Sequence, residues 1–308
     1  VLRKSTLGGW FAVGVLFFFG CSKPSIQIDG SSTVYPITEA VAEEFRNEKP
    51  GVRVTVGLSG TSGGMKKFVA GEIDICDASR PIKEPEIAAC QAAGVEYIEL
   101  QVAFDGLSVV VNPENDWVDC MTVEQLKALW QPESTVEKWS DLKPEWPSEP
   151  IKLYGPGTDS GTFEYFTEAI VGEARKSRSD YSPSEDDNML VTGVAGGKYA
   201  LGYFGYAYYE ENKDRLKLLS IDNGDGNCVQ PSVEAVRNGT YKPLSRPLFI
   251  YVNKKSLEKP EIRAFVEFYV AHANKLAADV GYVAVPDDVD VKNREVLDTA
   301  LKGIKPAT

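Results

Sequence analysis

The chain has 308 residues, 43% hydrophobic and 25% charged, with a formal net charge of −12 at pH 7. That is ordinary globular composition, enough for one large or two modest domains. The acidic balance argues against nucleic acid, whose phosphates need a basic footprint, but not against a small anion, which a few oriented backbone N–H groups hold locally.

Residues 1–21 read as an export signal: Arg3 and Lys4, an apolar run through Phe19, then Gly20-Cys21. The run is shorter than the ~20 residues that span a bilayer. Gly20-Cys21-Ser22 resembles a bacterial lipoprotein cleavage site, with Cys21 as the lipidated N-terminus. An uncleaved anchor or a simple secretory signal is the alternative, since Phe18 and Phe19 are bulky for that position. The body is expected in the periplasm or at the cell surface.

Ile26–Ile28 reads as a strand, followed by "DGSSTVYPITEAVAEEF", in which Ile37, Val41 and Phe45 recur at helical spacing. "VRVTV" (52–56) alternates as a strand, then "GLSGTSGG" feeds the helix "MKKFVAG". Further on, "IKLY" (151–154) gives way to "GPGTDSGT" and the helix of Phe163, Phe166 and Ile170. Three times a strand ends in Gly, Ser and Thr and enters a helix N-terminus. Such a start carries unpaired N–H groups and about half a positive charge, and Ser or Thr hydroxyls add donors without charge. One loop of this kind is explained by N-capping through Ser31, Ser62 or Ser160. Three in one chain point to an anion site. A fourth loop, Ser79-Arg80-Pro81 after the strand of Ile73 and Ile75, offers a cation; its other reading is an arginine paired with Glu84 or Asp77.

Strands and helices alternate throughout, which implies α/β layering with mostly parallel sheets and ligands outside the strands' carboxyl ends. "GLSVVVNP" (106–113) and "PLFIYVNK" (247–254) are similar apolar runs. They read as buried strands, or as two crossovers joining a discontinuous lobe (25–107 plus 247–308) to an inserted one (112–245). "MTVEQLKALW" (121–130) reads as an amphipathic helix opened by Thr122, and 131–150 as a surface connection whose tryptophans pack the loop rather than bind sugar. Arg178 and Asp187 reach the cleft or are solvated. The tyrosines of 200–212 read as core. Cys76, Cys90, Cys120 and Cys228 in an oxidising compartment lead us to expect two disulfides, in any of three pairings. No C-x-x-C occurs and His272 is the one histidine, so neither a metal nor another cofactor is expected.

"IDGSSTVYPITEAVAEEF", "GTSGGMKKFVAGEIDI" and "YGPGTDSGTF" closely resemble the phosphate-binding proteins of the phosphate-specific ABC transporter, a likeness running over most of 26–285. The resemblance implies a two-lobed periplasmic-binding-protein fold of type II, with mixed or parallel sheets and two hinge crossovers. It implies inorganic phosphate in the cleft, delivered by a monomeric receptor to permease and ATPase subunits. Carried over by residue, it assigns phosphate contacts to Thr33, Val34, Thr61, Ser62, Ser160, Gly161 and Thr162.

Two positions depart: the family pattern has an aspartate where Arg80 stands and an arginine where Pro156 stands. The cation thus changes lobes and a carboxylate is lost. An ionised carboxylate is acceptor-only and favours a ligand that donates a proton, so sulfate discrimination should weaken unless Asp159, Asp77 or Asp187 substitutes. Other readings are a receptor for another oxyanion such as sulfate, a phosphate sensor or scavenger, and, remotely, a phosphatase with Ser160 as nucleophile. The last lacks an adjacent base, because His272 lies in a helical pattern far from the loops.

Overall fold

The computed structural model describes residues 24–304 apart from Asp159 and Glu185, so the leader and Cys21 lie outside the described residues. In chain order the elements are β1 (Ser25–Gly30), α1 (Tyr35–Glu48), β2 (Arg53–Gly57), α2 (Gly60–Val69), β3 (Ile75–Ala78), α3 (Glu84–Ala93) and β4 (Tyr97–Val111). There follow β5 (Cys120–Thr122), α4 (Val123–Trp130), α5 (Trp139–Leu142), β6 (Lys152–Pro156), α6 (Gly161–Phe166), β7 (Ser182–Ser184) and α7 (Asp187–Ala195). The chain continues through β8 (Ala200–Gly205), α8 (Tyr206–Glu211), β9 (Lys217–Leu218), β10 (Ser220–Asp222), β11 (Cys228–Val229) and α9 (Val233–Arg237). It ends with β12 (Ser245–Asn253), α10 (Pro260–Asp279) and α11 (Asp287–Lys302).

The large sheet is mixed, in the order β2-β1-β3-β12-β4-β8-β6-β7, with β9 on β4. β1 runs parallel to β2 and β3, while β12 is antiparallel to β3 and β4. β4 runs through both parts of this arrangement. Over Tyr97–Gly106 it pairs with β12, and over Leu107–Val111 with β8. At ~3.3 Å per residue its 15 residues reach about 50 Å, far enough to serve two cores.

One core draws on Ile26, Ile28, Val41, Phe45, Leu100, Ile250 and Phe265. Its periodicity was visible in α1, whose Ile37, Val41 and Phe45 face inward and set Phe45 edge-on to Phe265 at 5.2 Å. The other core gathers Val109–Val111, Trp130, Phe166, Leu201 and Tyr203. Trp139 and Trp146 belong to it, packed edge to face at 5.9 Å, so the tryptophans of 131–150 are core aromatics. Thr122 opens α4 as expected, accepting from Gln125 N in a capping box.

The expectation of two disulfides is corrected. Cys120 and Cys228 are joined, linking β5 and β11 of a small three-stranded sheet. Cys76 and Cys90 are free and buried. They pack with Met65, Phe68 and Tyr251 in a small apolar cluster, where each acts as a compact hydrophobe and burial pushes the thiol up.

Candidate functional site

The first loop leaves β1 and turns at once. Ser31 N donates to Asp77 O (2.9 Å), Thr33 N donates to Ser31 Oγ (3.2 Å), and Tyr35 N donates to Ser31 O (3.1 Å). α1 has no side-chain cap, so its first turn relies on other partners. Thr33 and Val34 are both buried.

The second loop is fastened from below by Asp29. Its carboxylate accepts from Ser59 N, Ser59 Oγ and Lys67 Nζ. Burial alone would raise that carboxyl; the bonds from Lys67 and Ser59 outweigh it and hold Asp29 below the usual range. α2 lies close against the end of β1, where a Cβ on Gly64 would come within 2.6 Å of Gly30 Cα. Thr61 Oγ1 accepts from Ser79 N at 3.1 Å, joining the second loop to the fourth.

Arg80 follows. Its guanidinium donates twice to Glu86 (2.8 and 2.9 Å) and once to Ser62 Oγ (3.1 Å). The partner is neither Glu84 nor Asp77. The bonds to Glu86 raise Arg80 and lower Glu86, and Glu168 of the facing helix adds to the rise in Arg80. Glu86 also accepts from Lys83 N (2.9 Å), so one carboxylate caps α3 and orients the arginine.

The third loop comes from the other core. Ser160 caps α6, accepting from Thr162 N at 3.1 Å. α6 continues as a π-helix over Thr167–Val171, a form often seen at functional sites. Gly161 abuts the first loop: a Cβ there would sit 2.9 Å from both Thr33 N and Thr33 Oγ1.

The structure therefore brings Thr33 to Gly161, Thr61 to Ser79, and Ser62 to Arg80. A cavity of about 670 Å³ is lined by Ser160, Gly161 and Thr162 with Tyr35, Asp105 and Tyr208. A second, of about 490 Å³, is lined by Thr61, Ser62, Arg80, Glu168 and Arg246. Asp187 lines the first cavity. Arg178 is instead a buried brace, donating to Leu129 O (3.0 Å), Val136 O (2.8 Å) and Asp180. Asp77 lies under the first loop, fully buried; burial pushes its carboxyl up to about 8, against the opposing effect of the Thr38 hydroxyl. Asp159 is outside the described residues.

Two charged residues at these cavities escaped the sequence reading. Arg246 and Asp105 sit opposite each other in the β12–β4 register. Arg246 Nη2 donates to Thr33 Oγ1 (2.7 Å) and lies 3.4 Å from Asp105 Oδ2. Its guanidinium stacks 3.6 Å over Tyr165, which donates to Pro243 O. The available signal was a charge at the lip of each apolar crossover run.

Two α/β halves sharing long strands, with hydroxyl-rich loops meeting between them, form the architecture of a superfamily to which this chain belongs: the PBP superfamily domain model matches residues 20–272. Among curated relatives, Protein SphX of Synechocystis sp. is 53% identical over 86% of this chain and 79% of its own length. The phosphate-binding protein PstS of Staphylococcus saprophyticus is 36% identical over 96% of this chain and 95% of its own. Among solved structures, one described as a possible phosphate binding protein from Planctomyces limnophilus is 49% identical, covering 91% of this chain and 99% of its own with a TM-score of 0.87. A putative phosphate ABC transporter substrate-binding protein with bound phosphate, from Clostridium perfringens, is 26% identical with a TM-score of 0.58, covering 85% of this chain and 100% of its own.

Proposed function

We propose that this chain is an extracytoplasmic receptor that binds inorganic phosphate and delivers it to an ABC importer. The observation that carries the reading is the meeting of Gly161, at the start of α6, with Thr33, ahead of α1. Two helix starts from different cores thereby meet at one place, where hydroxyls and helix-start N–H groups suit an anion. Thr33, Val34, Thr61 and Ser62 supply donors from one side and Ser160, Gly161 and Thr162 from the other, with Arg80 as the cation. Likeness to proteins named for phosphate binding supports this assignment.

The lobes on this reading are 25–107 plus 247–308, and 112–245, closing by hinge motion at the two crossovers. Cys21 is the lipid-bearing residue that holds a monomeric receptor at the membrane near its permease and ATPase. On this reading the protein binds and does not turn over: His272 lies on α10 with Nδ1 2.9 Å from Phe268 O, and it lines neither cavity that Ser160 or Ser62 lines.

Calorimetry of the anion-stripped protein tests the reading. Saturable binding of one phosphate, weakened at least about tenfold by Thr61→Ala or Thr33→Val through the loss of a hydrogen bond to a charged ligand, is expected. No phosphate binding, or hydrolysis of a phosphomonoester, overturns it.

A further inference from the structure

Thr33 is buried, and its hydroxyl stands where a side chain on Gly161 would collide with it. Its backbone N–H is already committed to Ser31 Oγ, at 3.2 Å. What Thr33 has left to offer an anion is therefore the hydroxyl. A hydroxyl carries one hydrogen and two acceptor positions, and the hydrogen rotates to suit its partners. An oxyanion gains from it only when that hydrogen points at the ligand.

Arg246 settles the direction. Its Nη2 donates to Thr33 Oγ1 at 2.7 Å. A guanidinium has donors and no acceptor, so the hydroxyl accepts from it and must send its own hydrogen elsewhere. The bond is charge-assisted and polarises the O–H group, which makes the hydroxyl a better donor in turn. The guanidinium is held in place for this. It stacks 3.6 Å over the Tyr165 ring, and Tyr165 is itself anchored by donating to Pro243 O at 2.7 Å. Asp105, opposite Arg246 in the β12–β4 register, has Oδ2 3.4 Å from the same Nη2.

We propose that Arg246 is a positioning residue for the anion: by filling an acceptor position of the Thr33 hydroxyl, it commits that hydroxyl to donate to bound phosphate. The proposal rests on the phosphate reading above. An arginine that worked by attraction or by direct contact would aid binding whatever stood at position 33. One that works through Thr33 loses its effect when the hydroxyl is removed, so the two roles separate in a double-mutant cycle.

The test is calorimetric titration of inorganic phosphate into the anion-stripped protein, as wild type, Arg246→Gln, Thr33→Val and the double variant. Arg246→Gln should weaken phosphate about tenfold in the wild-type background, and by less than about threefold in the Thr33→Val background. A loss beyond threefold in the Thr33→Val background overturns the proposal, because a structural or purely electrostatic role persists there. A loss below threefold in the wild-type background overturns it as well. Where circular dichroism shows Arg246→Gln to be misfolded, Arg246→Lys takes its place in the cycle. It keeps the charge but not the planar stack on Tyr165, and the same limits decide. Absence of any phosphate binding to wild type overturns the phosphate reading itself.

Discussion

Gly161 stands against Thr33 with no room for a side chain: a Cβ would lie 2.9 Å from the threonine's backbone nitrogen and from its hydroxyl. The obstructed atoms belong partly to the backbone, so a rotamer change does not relieve the clash. Gly161→Ala should hold the two helix starts apart and reduce phosphate affinity by at least about tenfold, because misplaced donors lose charge-assisted hydrogen bonds. Each core should keep its stability, since neither loses a packed side chain. Calorimetry and thermal unfolding of the unliganded variant check both halves of this expectation.

Glu86 holds Arg80 and competes with any anion for it. Glu86→Gln should remove the competing charge, while its amide oxygen keeps the cap on Lys83 N and one bond to the guanidinium. Phosphate affinity is expected to rise about threefold at low salt, the scale of a partly exposed ion pair, and the gain should shrink as ionic strength grows. Titrations at two salt concentrations decide it; a loss of affinity would mean that orientation of Arg80 outweighs its neutralisation.

The partner of Arg80 also shows where local sequence reading stops. The helix after Ser79-Arg80-Pro81 begins at Glu84, so Glu86 is its third residue and reaches back to Lys83 N. A helix starting earlier would have turned Glu86 elsewhere, which is why Glu84 and Asp77 looked available. The loops themselves were legible because strand, Gly-Ser-Thr turn and helix are contiguous in the chain. Arg246 and Asp105 were not: 141 residues separate them, and only the antiparallel pairing of β12 with β4 makes them neighbours. Cysteine pairing failed for the same reason, since Cys76 and Cys90 look no different in sequence from Cys120 and Cys228.

The Cys120–Cys228 bridge spans 108 residues and ties β5 to β11, away from the residues lining either site cavity. Closing so long a loop in the unfolded chain should contribute about 2–4 kcal/mol of stability. The Cys120→Ser, Cys228→Ser double variant should unfold at lower urea by that amount and still bind phosphate within about threefold of wild type. A binding loss beyond that range would tie the small sheet to the site.

Asp77 should give the protein a stability that falls with pH. Its carboxyl is fully buried, and burial, outweighing the Thr38 hydroxyl beside it, moves it from 3.8 to about 8. Between those values the folded chain keeps a proton that the unfolded chain has released. The fold therefore loses stability as pH rises, by ~1.4 kcal/mol per unit at most, until the folded group also ionises near pH 8. Asp77→Asn carries no such proton. Its stability should match wild type near pH 4 and exceed it by a few kcal/mol at pH 9, read from urea unfolding at both. A gap that does not widen with pH would mean that Asp77 is ionised in the fold, and the loop above it would then have to supply the missing donor.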